Sequence, residues 1–250
     1  MLSVKNLTVR FAGLTAVSDL SFEVRAGEIF TIMGPNGAGK TTAFNAIGGF
    51  VAPTDGVIEF YDQQIVGRRP ENIAALGIRR TFQTNGILRE MTVLENVLTG
   101  LELDTPSSFL GALTGWPASA RAERLSVKRA REVLSEMDIL NLEDRVAGDL
   151  SFGQQRMVEI SRALAARARL IMLDEPAVGL SLSERAHLGR VLKRLAQSGI
   201  AVLLVDHVQD LVMSVSDQVL VMNNGKKIAQ SSPEAIRENK DVLDAYLGYG

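Results

Sequence analysis

This 250-residue sequence predicts an α/β fold around a mostly parallel sheet, and three observations predict it. Short strand-like apolar runs recur, among them Glu28–Met33, Leu170–Asp174 and Ile200–Val205, each set off from the next by helical stretches. That alternation implies a sheet covered by helices on both faces. The first of these runs leads into Gly34-Pro35-Asn36-Gly37-Ala38-Gly39-Lys40-Thr41, a G-x-x-x-x-G-K-[ST] loop between a strand and a helix. A helix-rich block over 92–145 then interrupts the pattern and reads as a lobe inserted into the core.

The elements follow in order. Residues 2–33 predict three strands, Leu2–Phe11, Leu20–Val24 and Glu28–Met33, forming an N-terminal antiparallel β subdomain with the start of the core. A helix begins at Thr41. Pro53-Thr54-Asp55-Gly56 is a turn signal ahead of a strand at Val57–Tyr61. Ile78–Phe82 predicts a short strand ending at Gln83. In the lobe, Ala120–Met137 is rich in helix formers and places Leu125, Val133, Leu134 and Met137 on one face. A looser insert, 105–119, carries Phe109 and Trp116, which read as local core ahead of the alternative, a partner surface. A helix follows from Ser151 to about Ala166, then a strand at Leu170–Asp174 and a helix at Leu182–Gln197. The strands Ile200–Val205, Gln218–Met222 and Lys227–Ala229 complete the sheet, with Asn223-Asn224-Gly225 as a hairpin turn and short helices at about 233–247. The expected organisation is one domain, with 1–91 and 146–250 as the core and 92–145 as the lobe.

The glycine-rich loop lets backbone N–H groups converge on a phosphate. Gly34, Pro35, Asn36, Gly37, Ala38, Gly39, Lys40, Thr41 and Thr42 are therefore the expected phosphate binders. Lys40 would reach the β- and γ-phosphates, and the Thr41 hydroxyl would ligate Mg²⁺. Asp174 and Glu175 end an apolar strand. Asp174 is expected beside the loop, on the Mg²⁺ side, and Glu175 where it polarises an attacking water. Ser151-Phe152-Gly153-Gln154 opens a helix as a capping box, and its bare N–H groups suit an anion. His207 follows the strand Ile200–Val205, at the sheet edge where ligands bind in such folds. His187 reads as a surface residue.

These motifs, in this order, resemble the ATPases of ABC transporters along nearly the whole chain, on a P-loop NTPase core. Leu150–Gln155 is similar to the family's Leu-Ser-Gly-Gly-Gln signature. The resemblance implies that Phe11 stacks on adenine and that Gln83 is a Mg²⁺ and catalytic-site glutamine. It makes Glu175 the catalytic base and His207 the switch histidine. It also implies that Ser151, Gly153 and Gln154 grip the nucleotide of a second subunit, and that Gly179-Leu180-Ser181 forms a segment lining the dimer. Phe152 and Ser181 depart from the family, which has Gly and Asp there. Softer matches, in Phe11–Val17, Arg80–Gln83, Glu95-Asn96-Val97, the insert and Ala245–Gly248, resemble the LivG-type ATPases of branched-chain amino-acid importers. The resemblance then implies ATP and Mg²⁺ as cofactors and a homo- or heteromeric ATPase pair. It implies membrane permeases and, indirectly, a solute-binding protein as partners. A place on the cytoplasmic face of the membrane follows, reached by docking; the apolar residues of Thr84-Asn85-Gly86-Ile87-Leu88 point to Thr84–Val97 with the adjoining helical lobe as the docking surface, unless Ile87 and Leu88 close the lobe's own core. The same resemblance admits urea, amide or lipopolysaccharide systems, or a soluble ABC ATPase.

Composition narrows the field. The net charge of −2 gives no basic footprint for nucleic acid. With no cysteine, disulfides and thiolate metal sites are excluded. The longest strictly apolar run, Ile200–Val205, falls far short of the ~20 residues that span a bilayer, and a soluble chain is expected. A GTPase would show Asn-Lys-x-Asp, whereas Asn239-Lys240-Asp241 lacks the spacer.

Overall fold

The computed structural model describes residues 1–81, 86–102 and 117–247. The insert with Phe109 and Trp116, and also Gln83, lie outside the described residues. The chain divides into two compact units. One comprises 1–80, 169–178 and 192–250; the other comprises 81–168 and 179–191.

In the first unit, β1 (Leu2–Phe11) and β2 (Leu14–Val24) form a hairpin. Its turn is Ala12-Gly13, both at positive φ. This hairpin extends β2 six residues before the expected start at Leu20, because pairing runs down to Phe11 opposite Leu14. Leu2, Val4, Leu7 and Val9 alternate into the core while their neighbours face out, as a half-buried strand requires. β4 (Asp55–Phe60) pairs antiparallel with β1, and β5 (Gln63–Gln64) with β4, giving the sheet order β2-β1-β4-β5.

The second sheet has the order β10-β9-β3-β8-β7-β6, from β3 (Ile29–Met33), β6 (Ile78–Arg80), β7 (Leu170–Asp174), β8 (Ala201–Val205), β9 (Gln218–Asn223) and β10 (Lys226–Ser231). All its pairings are parallel except β9 with β10, which are joined by the hairpin at Asn224-Gly225. Every residue of β3, β7 and β8 is buried, which explains their unbroken apolar runs. The strand that ends in Asp174 does not adjoin the strand that leads into the glycine-rich loop; β8 lies between them. Spatial order in a doubly wound sheet follows crossover connections, which sequence order does not reveal.

The helices of this unit are α1 (Lys40–Ile47), α2 (Pro70–Ala75), α7 (Gln209–Val215), α8 (Pro233–Arg237) and α9 (Lys240–Leu247). Buried Phe44 and Ile47 of α1 join one core cluster with Leu2, Val4, Phe22, Phe30, Ile32, Leu203 and Leu220. Phe22 and Phe30 stack with ring centroids 5.0 Å apart, so aromatic contact ties the two sheets together.

The second unit contains α3 (Val93–Glu102), α4 (Pro117–Glu136), α5 (Phe152–Ala165) and the start of α6 (Leu182–Gln197). It is larger than the expected 92–145 lobe: the Ser151 helix, assigned to the core from the sequence, belongs to this unit. The reason is its apolar face, since Met157, Val158, Ile160 and Leu164 are buried. Val133 and Leu134 on α4 and Met137 just beyond it are buried as expected, with Ala130 beside them, but Leu125 is 59% exposed. At 3.6 residues per turn Leu125 falls well off the stripe that those four residues define. Asn96, fully buried, pins the preceding loop by accepting from the Leu88 N–H at 2.8 Å and donating to the Leu88 carbonyl at 2.9 Å.

Candidate nucleotide site

The loop from Gly34 to Gly39 takes its shape from three glycines. Gly34, Gly37 and Gly39 sit at φ 149°, 82° and 96°, a region that costs little only without a Cβ. At Gly39 a Cβ would lie 2.3 Å from the Ala16 carbonyl oxygen, and at Gly34 2.2 Å from that of Met222. Glycine is therefore needed for close backbone approach as well as for φ. Gly39 caps α1 with no side chain of its own, which leaves the helix N-terminus bare toward the loop, as an anion site requires.

Lys40, only 7% exposed, donates to the Gly34 carbonyl at 2.8 Å and the Pro35 carbonyl at 2.9 Å. Its ammonium is folded along the loop that it serves. Burial pushes its pKa below the ordinary lysine value, while Glu175 and Asp174 act in the opposite direction. Both carboxylates thus lie within electrostatic reach of the loop lysine although β8 separates their strands.

At the end of β7, Asp174 is 1% exposed and pairs with the Arg80 guanidinium at 3.3 Å. Arg80 is itself held by Asn45 at 2.6 Å and by the faces of Phe44 and Phe50, 4.7 and 5.1 Å from the ring centroids. The next residue, Glu175, has φ 47° and donates its N–H to the Val205 carbonyl at 2.7 Å. A left-handed glutamate is uncommon and costs about 1–3 kcal/mol. Here it turns the chain sharply at the sheet edge. His207 Nδ1 lies 3.5 Å from Glu175 Oε1. His207 is set in turn by Asp206, whose carboxylate accepts from the N–H groups of His207 at 2.7 Å, Val208 at 2.8 Å and Ala177 at 3.1 Å. Burial pushes Asp206 above the usual carboxylate range, against those three donors.

Lys40, Asp174, Glu175 and His207 thus gather at the carboxyl edge of one parallel sheet, where ligands bind in open α/β folds. Phe11 is 48% exposed at the end of β1, so it is not a core residue. Thr41 is exposed at the loop end of α1. Asp206 and Arg80 were not singled out as site residues from the sequence. The only signal for Asp206 was a carboxylate directly after an apolar strand, and for Arg80 a basic residue ending a strand.

The second unit carries the other predicted group. Ser151 caps α5 in the expected reciprocal box: its Oγ accepts from the Gln154 N–H at 3.2 Å, and Gln154 Oε1 accepts from the Ser151 N–H at 3.1 Å. Gly153 is buried, and Phe152 is exposed with the Arg156 guanidinium 5.8 Å above its ring. Gln155 donates to the Leu150 carbonyl at 3.1 Å, so it shapes the helix entry. Half-buried His187 lies with Glu184 and Gln154 in a small cavity on this unit.

The sequence profile of the ABC transporter family matches residues 17–178. The chain belongs to the ABC transporter family. The high-affinity branched-chain amino acid transport ATP-binding protein BraF of Pseudomonas aeruginosa is 41% identical over 99% of this chain and 98% of its own length. The corresponding LivG protein of Escherichia coli is 40% identical over the same shares. Among solved structures, the ADP conformation of MJ1267, an ATP-binding cassette of an ABC transporter, superposes with a TM-score of 0.87 at 34% identity, covering 99% of this chain and 98% of that one. The α/β core, antiparallel sheet and helical unit described above are therefore those of an ATP-binding cassette. No helix among the described residues is long and apolar enough to cross a membrane.

Proposed function

We propose that this chain is the ATP-hydrolysing subunit of an importer for branched-chain or related amino acids, working as a pair on the cytoplasmic face of the membrane beneath separate permeases. The observation that carries the reading is the convergence of Lys40, Asp174, Glu175 and His207 on one sheet edge, in a chain whose near full-length relatives are named as branched-chain amino acid transport ATP-binding proteins.

The chain's own groups divide the work. The backbone N–H groups of 34–42 and the Lys40 ammonium hold the β- and γ-phosphates and stabilise the charge of the transferring phosphoryl group. Phe11 offers a face for adenine. Glu175 accepts a hydrogen bond from the attacking water and polarises it, and His207 holds the Glu175 carboxylate in place. Ser151, Gly153 and Gln154 grip the ATP held by the second subunit.

The donor set fits Mg²⁺. One buried carboxylate and a threonine hydroxyl are oxygen ligands, and among the described residues no group of three or more His, Cys, Asp or Glu side chains is placed to hold a metal ion by itself. That leaves room for the waters and substrate phosphates that Mg²⁺ prefers. Thr41, Asp174 and Gln83 are the residues that would hold it. When bound, the ion would neutralise phosphate charge.

The docking surface for the permeases is the loop before α3. Ile87 is 7% exposed and closes the unit's own core, whereas Leu88 is 41% exposed. Exposed Met91 and Val146 adjoin it, since the Met91 N–H donates to the Leu88 carbonyl and the Ala147 N–H to the Met91 carbonyl. Leu88 and Met91 on the pinned loop, with Val146 on the segment bridged to it, give three exposed apolar side chains that suit a partner's helix.

Two measurements test this reading. Calorimetry should show ATP bound in preference to GTP. Deleting the gene in its host should cut uptake of labelled leucine, isoleucine and valine. Equal GTP affinity would contradict the nucleotide, and unchanged uptake of all three would contradict the substrate class.

A further inference from the structure

The N-terminus of α5 already holds an anion supplied by the chain itself. The Ser151 hydroxyl donates to Glu184 Oε1 at 3.0 Å, and the Gly153 N–H is directed to the same carboxylate. The other oxygen, Oε2, accepts from the Ser181 N–H at 2.9 Å and the Ser181 hydroxyl at 2.8 Å. A Cβ on Gly153 would lie 2.5 Å from Glu184 Oε1. The carboxylate therefore covers the face of the helix end that glycine leaves bare. All these residues lie within one compact unit.

We propose that Glu184 is a resident stand-in for phosphate: in the unpaired subunit it occupies Ser151 and Gly153, and it must swing away before the second subunit's ATP can bind there. The inference rests on the assignment of Ser151–Gln154 to that ATP. A carboxylate and a phosphate oxygen compete for the same N–H and O–H donors, and two anions cannot share the cradle without strong repulsion. Glu184 is suited to the role because it is an anion at neutral pH. Bonds from the backbone and side chain of Ser181, then from the Ser151 hydroxyl, hold its carboxyl below the ordinary glutamate value.

The contact also accounts for Ser181, where the family has Asp. Ser181 donates to Glu184 and accepts the Glu184 N–H at 3.3 Å through its hydroxyl. An aspartate there would place a second carboxylate against the first. Glu184 thus ties the segment before α6 to the start of α5.

The test measures ATP-driven dimer formation by sedimentation in the Glu175→Gln background, where hydrolysis is arrested. Adding Glu184→Gln should lower the ATP concentration at half-dimerisation by at least about threefold, because a competing state of the subunit has been removed. Glu132→Gln, which removes a surface charge on α4, should leave it unchanged. Should the protein carrying Glu184→Gln not fold, Glu184→Asp, one methylene too short to reach Ser151, carries the same expectation. If Glu175→Gln dimerises with ATP but the position-184 variant has the same or a higher midpoint, or if Glu132→Gln lowers it equally, this inference alone is overturned. If Glu175→Gln never dimerises with ATP, the assignment of Ser151–Gln154 falls, and this inference with it.

Discussion

Lys40 illustrates how one side chain's surroundings set its chemistry. It is buried along its own loop, with burial lowering its pKa and two carboxylates opposing. Lys40→Ala removes a charge held against phosphate, and should weaken ATP binding at least about tenfold by calorimetry; equal affinity in the two proteins would contradict the phosphate-loop assignment. The lowered pKa adds a pH signature. The charged form binds phosphate, and in the free protein the proton leaves Lys40 at a pH below the ordinary 10.5. ATP affinity should therefore fall as pH rises through the range below 10.5, and binding titrations from neutral to alkaline pH would show it. At this scale the sequence was legible wherever chemistry dictates residue type. Gly34 and Lys40 stand out by the spacing of their loop, and Asp174, Glu175 and His207 by their places after apolar strands together with the family resemblance. What it did not disclose was the support behind them. Arg80 reaches Asp174 from a strand 94 positions away in sequence, and Asp206 acts through backbone N–H groups that no motif records. The left-handed turn at Glu175 has no glycine to announce it.

The elements were legible where periodicity and burial agree. β1, β7 and α6 run over the expected residues, because half-buried strands, wholly buried strands and amphipathic helices each leave their own pattern. The early start of β2 was missed because its first residues are exposed, so they show no apolar alternation. Leu125 was misplaced because a single apolar residue near a helical stripe cannot reveal its angular offset. The start of α5 yields its own prediction. Ser151→Arg puts a bulky cation where the second subunit's phosphate is to dock. ATP binding to one isolated subunit should survive, measured by calorimetry, while steady-state phosphate release falls to the level of a catalytically dead variant. Mixing that protein with Lys40→Ala subunits should recover part of the activity, because one composite site of the mixed pair is intact. Normal hydrolysis by the Ser151→Arg protein alone would show that Ser151 does not serve a nucleotide in trans.

At the scale of the whole molecule, the sequence identified an α/β core with a helical insertion but drew the boundary too tightly. The second unit takes in the Ser151 helix because of the apolar face that helix buries, and burial partners are a property of three-dimensional packing. Docking is the prediction that belongs here. Leu88→Glu places a charge on the exposed loop beside Met91 and Val146 while leaving buried Ile87 untouched. The purified protein should bind ATP as before, and its recovery with membranes from cells expressing the permeases should fall severalfold. A folded variant that still fractionates fully with membranes would place the docking surface elsewhere. Above all, paired subunits are to hydrolyse ATP through Glu175. The direct measurement is phosphate release by purified Glu175→Gln beside the unaltered chain, with sedimentation in ATP. Turnover should fall by about 10²-fold or more while ATP binding persists, and the protein should accumulate as an ATP-bound dimer. A Glu175→Gln protein that keeps more than about a tenth of the unaltered rate would contradict the account, since a positioned base contributes far more than tenfold.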